Sequence, residues 1–154
     1  MKKVVPIIGF VVISFVVGYL SRLLQAEAME TWYPFLEKSS LTPPGYMFSL
    51  VWGVLYLLMG ISAGLMWSQH TLYSWLLTIL FAIQLLLNLA WSFAFFWVQS
   101  PLAGLFVLLL LIICVTFYII GCYKQNRVAA YLNVPYLLWL LFAAYLNSYI
   151  VMSN

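Results

Sequence analysis

Long apolar runs fill most of this chain, and short polar stretches separate them. The runs cover residues 4–24, 46–67, 72–98, 102–123 and 131–152. About 20 apolar residues in a helix cross a bilayer core of about 30 Å, so each run is long enough to span a membrane. The pattern predicts an all-α integral membrane protein: a single domain over residues 1–154, with five transmembrane helices in an up-down bundle. The longest connection, residues 25–45, is the only one long enough to carry a structured loop.

Composition supports the same fold class. Hydrophobic residues make up 67% of the chain and charged residues 6%, whereas about 25% of an ordinary soluble domain is charged. The five runs leave no room for a separate soluble domain. The lysines and arginines are scattered between the runs, which excludes the clustered basic patch typical of nucleic-acid binding. The predicted partner is therefore the lipid bilayer, and not nucleic acid.

The few basic residues predict the orientation in the cell membrane. An odd number of spans puts the two termini on opposite sides, which places Lys2, Lys3, Lys124 and Arg127 on one side and Arg22 and Lys38 on the other. Basic residues favour the cytoplasmic side. We therefore expect a multi-pass protein with a cytoplasmic N-terminus, and with the first loop and the C-terminus outside.

The first run has an alternative interpretation as a secretory signal peptide, since Ala26-Glu27-Ala28 resembles a cleavage site. The apolar core of a signal peptide has about 7 to 15 residues. Residues 4–20 form a longer run without any charge, and Arg22 lies between this run and the cleavage-like sequence. The sequence therefore favours a retained first transmembrane helix.

Three of the runs carry polar and aromatic residues at helical spacing. The third run has the spacing i, i+4, i+7 and i+11 at Gln84, Asn88, Trp91 and Phe95. One face of the second run has Ser49, Trp52, Tyr56 and Met59, and one face of the fifth has Pro135, Trp139, Phe142, Ala143, Leu146 and Asn147. Because buried amide and indole groups need partners, these stripes are expected to converge inside the bundle. Periodicity leaves open whether they line a cavity or only hold the helices together.

Cysteine and histidine positions predict no disulfide and no metal site. Cys114 and Cys122 are about 12 Å apart along a helix, beyond the Cα separation of roughly 7 Å that a disulfide can bridge. His70, in the turn between the second and third runs, is expected to be an interfacial residue rather than a haem ligand.

Glycines in the first and second runs predict close contacts between helix backbones. They are Gly9 and Gly18 in the first run and Gly60 and Gly64 in the second. A glycine lets two helix backbones approach closely. Packing within one chain and packing between two copies both explain these glycines.

Several motifs together resemble the tryptophan-rich sensory protein (TspO), or translocator protein, family, also called TspO/MBR or peripheral-type benzodiazepine receptor. The first group is Trp32-Tyr33, Leu36, Lys38, Pro43-Pro44, Phe48, Val51-Trp52, Leu55-Tyr56 and Met59-Gly60. The third run matches at Gln84, Asn88, Trp91 and Phe95-Phe96, and the fifth at Pro135-Tyr136, Trp139, Phe142-Ala143 and Leu146-Asn147. The chain resembles a bacterial member and matches in order from residue 32 to residue 147.

Two positions depart from the family pattern. Ser39 stands where the family usually has proline, so the loop is expected to be less rigid there. The fifth run has no Lys or Arg after Tyr145 or Tyr149, and the proposed cholesterol-recognition pattern needs a basic residue at such a position. Cholesterol transport is therefore not carried over from animal members.

The resemblance implies a five-helix bundle, usually a homodimer, which binds tetrapyrroles such as protoporphyrin IX and haem beneath the first loop. It also implies binding of drug-like isoquinoline carboxamide and benzodiazepine ligands, and light-dependent oxidative degradation of porphyrin. No cofactor is required, since porphyrin is the ligand or substrate and light and oxygen drive its loss. Transport of tetrapyrroles and ligand-responsive stress sensing remain alternative functions.

The resemblance and the stripes together assign candidate site residues. The ligand-binding set is Trp32, Tyr33, Pro43, Pro44, Phe48, Ser49, Trp52, Tyr56, Gln84, Asn88, Trp91, Phe95, Trp139, Phe142, Ala143, Leu146 and Asn147. Trp52 and Trp139 are the candidate photochemical electron donors, and Arg22 and Lys38 are the candidate contacts for porphyrin propionates. The sequence has no hydrolytic triad or phosphate-binding loop, so whether the protein is an enzyme stays open.

Overall fold

The computed structural model describes residues 4–154, so Lys2 and Lys3 of the orientation argument lie outside the described residues. Within that range the chain forms α-helices and no β-strand. The helices are α1 (Val4–Thr31), α2 (Gly45–Trp67), α3 (Leu72–Ser92), α4 (Pro101–Gln125), α5 (Arg127–Tyr131) and α6 (Val134–Ser153). Five segments are long and apolar enough to cross a membrane, and α5 and α6 together form the fifth. The predicted all-α membrane fold is confirmed.

The first helix continues past the predicted end at Leu24 and reaches Thr31. Residues 25–31 contain no glycine or proline, and alanine, glutamate and glutamine favour helix. The apolar run therefore marks where the lipid-compatible surface ends, and not where the helix ends. The loop that follows is shorter than expected, and it begins with a 3-10 turn at Tyr33–Phe35.

The third and fifth spans are interrupted near one end. The third span closes with a π-helical turn at Phe93–Trp97. In the fifth span, a short turn separates α5 from α6, and Pro135 lies in the first turn of α6. Proline has no N–H to donate and fits the start of a helix, which explains why α6 begins there rather than continuing from Tyr131.

Glycines bring α1 and α2 into backbone contact. A β-carbon at Gly60 would collide with the backbone of Val11, and one at Gly64 would collide with the backbone of Ile7. The predicted close approach at these two glycines is confirmed and occurs within one chain. Gly9 has no neighbour within 4 Å at the corresponding position, so this contact does not involve it.

The helices pack around a shared core. The most extensive contacts join α1 to α2, α3 to α4, and α4 to α6, and α1 also packs against α3. Fully buried core residues include Met59, Phe81, Tyr118 and Tyr136. By contrast, α2 and α6 touch each other over a small area. This α2/α6 seam, the boundary between residues 45–67 and 134–153, is the open side of the bundle.

Buried hydrogen bonds close the end of the bundle opposite the first loop. Ser62 Oγ donates to the carbonyl oxygen of Ala129 at 2.8 Å, and Asn133 Nδ2 donates to Ser62 Oγ at 2.7 Å. The Tyr118 hydroxyl lies 3.3 Å from Ser62 Oγ. These contacts join α2, α4 and α5 to the turn that precedes α6.

Both cysteines lie on α4. Cys114 and Cys122 are both unbonded. His70 is exposed in the turn before α3, where its backbone has a positive φ of 53°. Residues 4–154 contain no cluster of three or more metal-ligating side chains.

Candidate functional site

The polar stripes converge on Asn88 in the centre of the bundle. The Tyr56 hydroxyl donates to Asn88 Oδ1 at 2.9 Å, and Asn88 Nδ2 donates to the Tyr136 hydroxyl at 3.3 Å. Asn88 and Tyr136 are almost completely buried. Asn88 therefore ties α3 to α2 and α6. Tyr136 was missing from the predicted site set, although its position three residues before Trp139 is a signal that could have included it.

Both candidate electron donors lie where α2 faces α6. Trp52 stacks on Tyr56, with ring centroids 5.4 Å apart, and meets Tyr136 at 6.1 Å. Trp139 contacts Phe48 edge-on at 5.4 Å and Phe142 at 5.6 Å. Two indoles on facing helices thus border the same part of the interior.

A second group of aromatic rings lies under the loop, and we call it the aromatic cap. Its members are Trp32, Tyr33, Trp91, Phe95 and Phe96. Trp91 stacks on Phe95 at 5.6 Å, Trp32 meets Phe95 edge-on at 5.6 Å, and Tyr33 lies 5.7 Å from Phe96. Phe96 lay outside the predicted set, and the π-helical turn buries it together with Phe95. Burial raises the pKa of the Tyr33 phenol above its ordinary value.

Lys38 holds the loop in its folded form. Its Nζ donates to the carbonyl oxygens of Tyr33, Pro34 and Leu36 at 2.8, 3.2 and 2.9 Å. It also lies 4.9 Å from the centre of the Tyr33 ring. An ammonium group has three donors, so a porphyrin propionate would have to replace one of these carbonyls. The other predicted propionate contact, Arg22, is exposed on α1.

Two further contacts fasten the loop to α6, and together with the Lys38 bonds we call them the loop clasp. Ser39 Oγ and the Tyr145 hydroxyl share a hydrogen bond of 3.0 Å. The backbone N–H of Glu37 donates to Asn154 Oδ1 at 3.0 Å, and Asn154 Nδ2 donates back to the Glu37 carbonyl at 3.2 Å. The expected loss of rigidity at Ser39 is therefore offset, because its hydroxyl makes a contact that proline cannot make.

Several buried polar atoms have no hydrogen-bond partner within residues 4–154. They are both amide atoms of Gln84 and of Asn147, the amide oxygen of Asn133, the indole nitrogens of Trp91 and Trp139, and Ser21 Oγ. Leaving a buried donor or acceptor unpaired costs about 1 to 3 kcal/mol. These groups are therefore suited to a ligand or water that supplies the missing partners.

The other predicted site residues are divided between the surface near the loop and the core of the bundle. Ser49 is exposed, and its hydroxyl donates to the Gly45 carbonyl at 3.4 Å. Pro43 lies in the loop, and Pro44 caps the start of α2. Ala143 packs against the main core, and Leu146 is buried on α6.

A groove of about 440 Å³ follows the α2/α6 seam. It is lined by Leu50, Val51, Val54, Leu55, Pro135, Leu138, Trp139 and Phe142. Ligand pockets commonly have about 300 to 1,000 Å³. Trp139 and Phe142 belong to the predicted site set, whereas the aliphatic lining was missed because lipid-facing leucine and valine give no distinguishing signal in sequence.

Comparisons with known proteins agree with this architecture. The TspO/MBR family model matches residues 10–152. A tryptophan-rich protein TspO from Archaeoglobus fulgidus is 34% identical over 99% of both chains. One from Chlorobaculum tepidum is 34% identical over 99% of this chain and 98% of its own. The translocator protein of Sus scrofa is 34% identical over 92% of this chain and 86% of its own. Matches of this extent, in a protein with five membrane-spanning segments, establish that the chain belongs to the TspO/MBR family.

Proposed function

We propose that this membrane protein binds tetrapyrroles such as protoporphyrin IX and haem, and promotes their light-dependent oxidative degradation. The observation that carries the proposal is the set of buried indole and amide groups without partners in the described chain, next to stacked aromatic rings. Family membership supports the same ligand class. The ligand would lie between α2, α3 and α6, beneath the aromatic cap.

The residues present suit the chemistry of a porphyrin. Its ring is flat, apolar and polarisable, so the aromatic surfaces of Trp52, Trp139 and Phe48 can stack against it. The unpaired N–H groups of Trp91 and Asn147 can donate to its polar atoms. Its propionates carry negative charge. Lys38 can neutralise one of them by exchanging one of its three carbonyl contacts, and Arg22, exposed on α1, is the second candidate cation.

The same interior suits the drug-like ligands that the family resemblance implies. An isoquinoline carboxamide or a benzodiazepine combines aromatic rings with a carbonyl acceptor. Gln84 and Asn147 each offer an unpaired amide N–H within the described chain. These ligands would therefore compete with porphyrin for one site. The proposed assembly is a homodimer, as the resemblance implies.

Degradation would use light as its source of energy and dioxygen as its oxidant. An indole is easily oxidised, so Trp52 or Trp139 could give one electron to the light-excited ring, which would pass that electron on to dioxygen and form superoxide. The indole radical cation would then regain an electron from the ring. The ring would thus lose one electron overall and combine with the superoxide, so that porphyrin and dioxygen together give an oxygenated pigment. The protein holds the pigment and the donors together, and the reactive agent is the pigment itself. This chemistry needs neither a hydrolytic triad nor a metal.

Illumination of purified protein with protoporphyrin IX tests the proposal. The protein is placed in lipid nanodiscs, and pigment absorbance is followed in light, in darkness and without oxygen. We expect loss of the porphyrin bands in light with oxygen, faster than in empty nanodiscs. Tight binding without accelerated loss would contradict the degradation role and favour transport or sensing. Absence of binding would contradict the whole proposal.

A further inference from the structure

We propose that ligands reach the interior from within the bilayer, through the α2/α6 seam, and not from water past the first loop. This inference rests on the proposed function, because it concerns the route to the proposed site. It assigns a role to the seam groove, most of which lies outside the candidate site residues.

The groove opens toward lipid. Leu50 is 70% exposed, Val54 51% and Leu138 61%. Val54 lies near the middle of α2, which spans residues 45–67. A transmembrane helix has its middle near the centre of the bilayer. The mouth of the groove therefore faces acyl chains rather than water.

The inner wall of the groove is thin. Leu55 and Trp139 line the groove, and both also pack with the main core. Trp52 follows the lining residue Val51, and Tyr136 follows the lining residue Pro135. The ring centroids of Trp52 and Tyr136 are 6.1 Å apart. The contact between these two rings thus joins α2 to α6 along the same stretch of both helices that lines the groove. Side-chain rotation at the seam would join the groove to the proposed site.

The other sides of the bundle are held more firmly. Gly60 and Gly64 bring the backbones of α1 and α2 together, and no side chain there can move aside. The end opposite the loop is closed by the bonds of Ser62 and Asn133. The loop end is closed by the aromatic cap and by the loop clasp, which includes the three carbonyl contacts of Lys38.

The α2/α6 seam lacks direct hydrogen bonds of this kind between its two helices. Between residues 45–67 and 134–153, all of them described, no hydrogen bond joins α2 directly to α6; Tyr56 and Tyr136 are linked only through Asn88. Opening the seam would move apolar side chains apart while acyl chains replace their contacts. A tetrapyrrole or hydrophobic carboxamide also partitions into the bilayer, so its local concentration there is high. The apolar lining lets its ring pass without loss of hydrogen bonds.

Filling the groove tests this route. The variant Val54→Phe/Leu138→Phe narrows the seam without changing a candidate site residue. The control Leu109→Phe/Ile113→Phe makes matched changes at exposed positions of α4.

Association and dissociation rate constants of protoporphyrin IX, and of an isoquinoline carboxamide, are measured in nanodiscs by stopped-flow quenching of tryptophan fluorescence. We expect both rate constants to fall about tenfold with Kd changed less than about threefold, because a gate alters rates and not affinity. The control should match the wild type, and Val54→Ala/Leu138→Ala should be faster in both directions.

A variant of the loop clasp tests the alternative route, in which ligands enter from water past the loop. Tyr145→Phe/Asn154→Ala removes contacts of the loop clasp, and the proposal expects its association rate constant to remain near that of the wild type. Faster association in this variant, together with unchanged rates in the filled-groove variant, would overturn the proposal. Weaker affinity with unchanged association in the filled-groove variant would also overturn it, because the groove would then be part of the site. A wild-type protein that binds neither probe would refute the proposed function itself, and this route with it.

Discussion

The Tyr56 hydroxyl and the Asn88 side chain form a 2.9 Å hydrogen bond that joins α2 to α3 in the middle of the bundle. Asn88 also donates to Tyr136 on α6, so a single amide connects three helices. The amide oxygen and the amide nitrogen of Asn88 each already have a hydrogen-bond partner in the protein. The sequence placed Asn88 among ligand-binding residues, and its contacts give it a structural role as well.

Replacing Asn88 by leucine should therefore lower stability. Leucine has a similar volume, but it leaves the hydroxyls of Tyr56 and Tyr136 without their partner. A hydrogen bond between transmembrane helices contributes about 1 kcal/mol, so we expect a lower midpoint of thermal unfolding in nanodiscs. A loss of 1 to 3 kcal/mol in the binding of a carbonyl ligand, with unchanged thermal stability, would contradict this and make Asn88 chiefly a ligand contact.

Asn147→Leu, unlike Asn88→Leu, should leave stability unchanged or raise it. Its amide is buried, and neither atom has a partner within the described chain, so removing it relieves a desolvation cost in the ligand-free protein. We expect an equal or higher midpoint of unfolding, and ligand binding weaker by about 1 to 3 kcal/mol if a hydrogen bond to ligand is lost. Both quantities come from thermal unfolding with and without ligand. A clearly lower midpoint without ligand would show that Asn147 supports the fold.

Substitution of individual tryptophans separates binding from photochemistry. Trp52→Phe and Trp139→Phe keep a stacking surface but remove an easily oxidised indole. We expect porphyrin affinity within about tenfold of the wild type, equivalent to about 1.4 kcal/mol, and loss of most of the light-driven degradation. Trp75→Phe is the matched control, since Trp75 is 52% exposed on α3. If Trp52→Phe and Trp139→Phe both degrade porphyrin at the wild-type rate, these indoles only line the site and do not donate electrons.

Lys38→Met should loosen the loop. The methionine keeps most of the aliphatic stem but cannot donate to the three carbonyls that Lys38 holds. We expect faster amide hydrogen exchange across residues 32–44 and little change in α4, measured by mass spectrometry. Arg22→Met provides a comparison at an exposed cation on α1. Equal exchange in wild type and in Lys38→Met would show that the other loop contacts suffice.

Orientation in the membrane is predicted from the positions of the basic residues. A reporter fused after Asn154 should be accessible from outside the cell, and one fused at Lys2 should be cytoplasmic. Impermeant labelling of intact cells measures both. The reverse result would place the loop, with its aromatic cap, on the cytoplasmic side.

Periodicity predicted much of the fold because lipid imposes a simple rule on side chains. Runs of apolar residues located the five spans, and the spacing of Gln84, Asn88 and Trp91 indicated an inward face of α3. The partner of each inward group depends on the rotation of neighbouring helices, which sequence periodicity leaves undetermined. Asn88 thus proved to be paired with two tyrosines, whereas Gln84, one turn away, has no partner in the described chain.

Helix ends and loop contacts were harder to predict than spans. The extension of α1 to Thr31 depends on helix propensity outside the apolar run. The contact of Ser39 with Tyr145 joins residues far apart in sequence, so local pattern carries no sign of it. The α2/α6 groove arises from how two ordinary apolar faces diverge, which is a property of the packed bundle alone.

The bonds of Asn133 have a mechanical consequence for α6. They anchor its first turn to Ser62 on α2, while its far end carries the loop through Tyr145 and Asn154. Along the length between these points, no direct hydrogen bond in the described chain restrains α6 against α2. The helix α6 is therefore held to α2 at its first turn and to the loop at its far end, while its length packs against α4. Any tilt of α6 about Asn133 would displace Tyr145 and Asn154 further than the residues near Asn133, so the loop would follow such a movement.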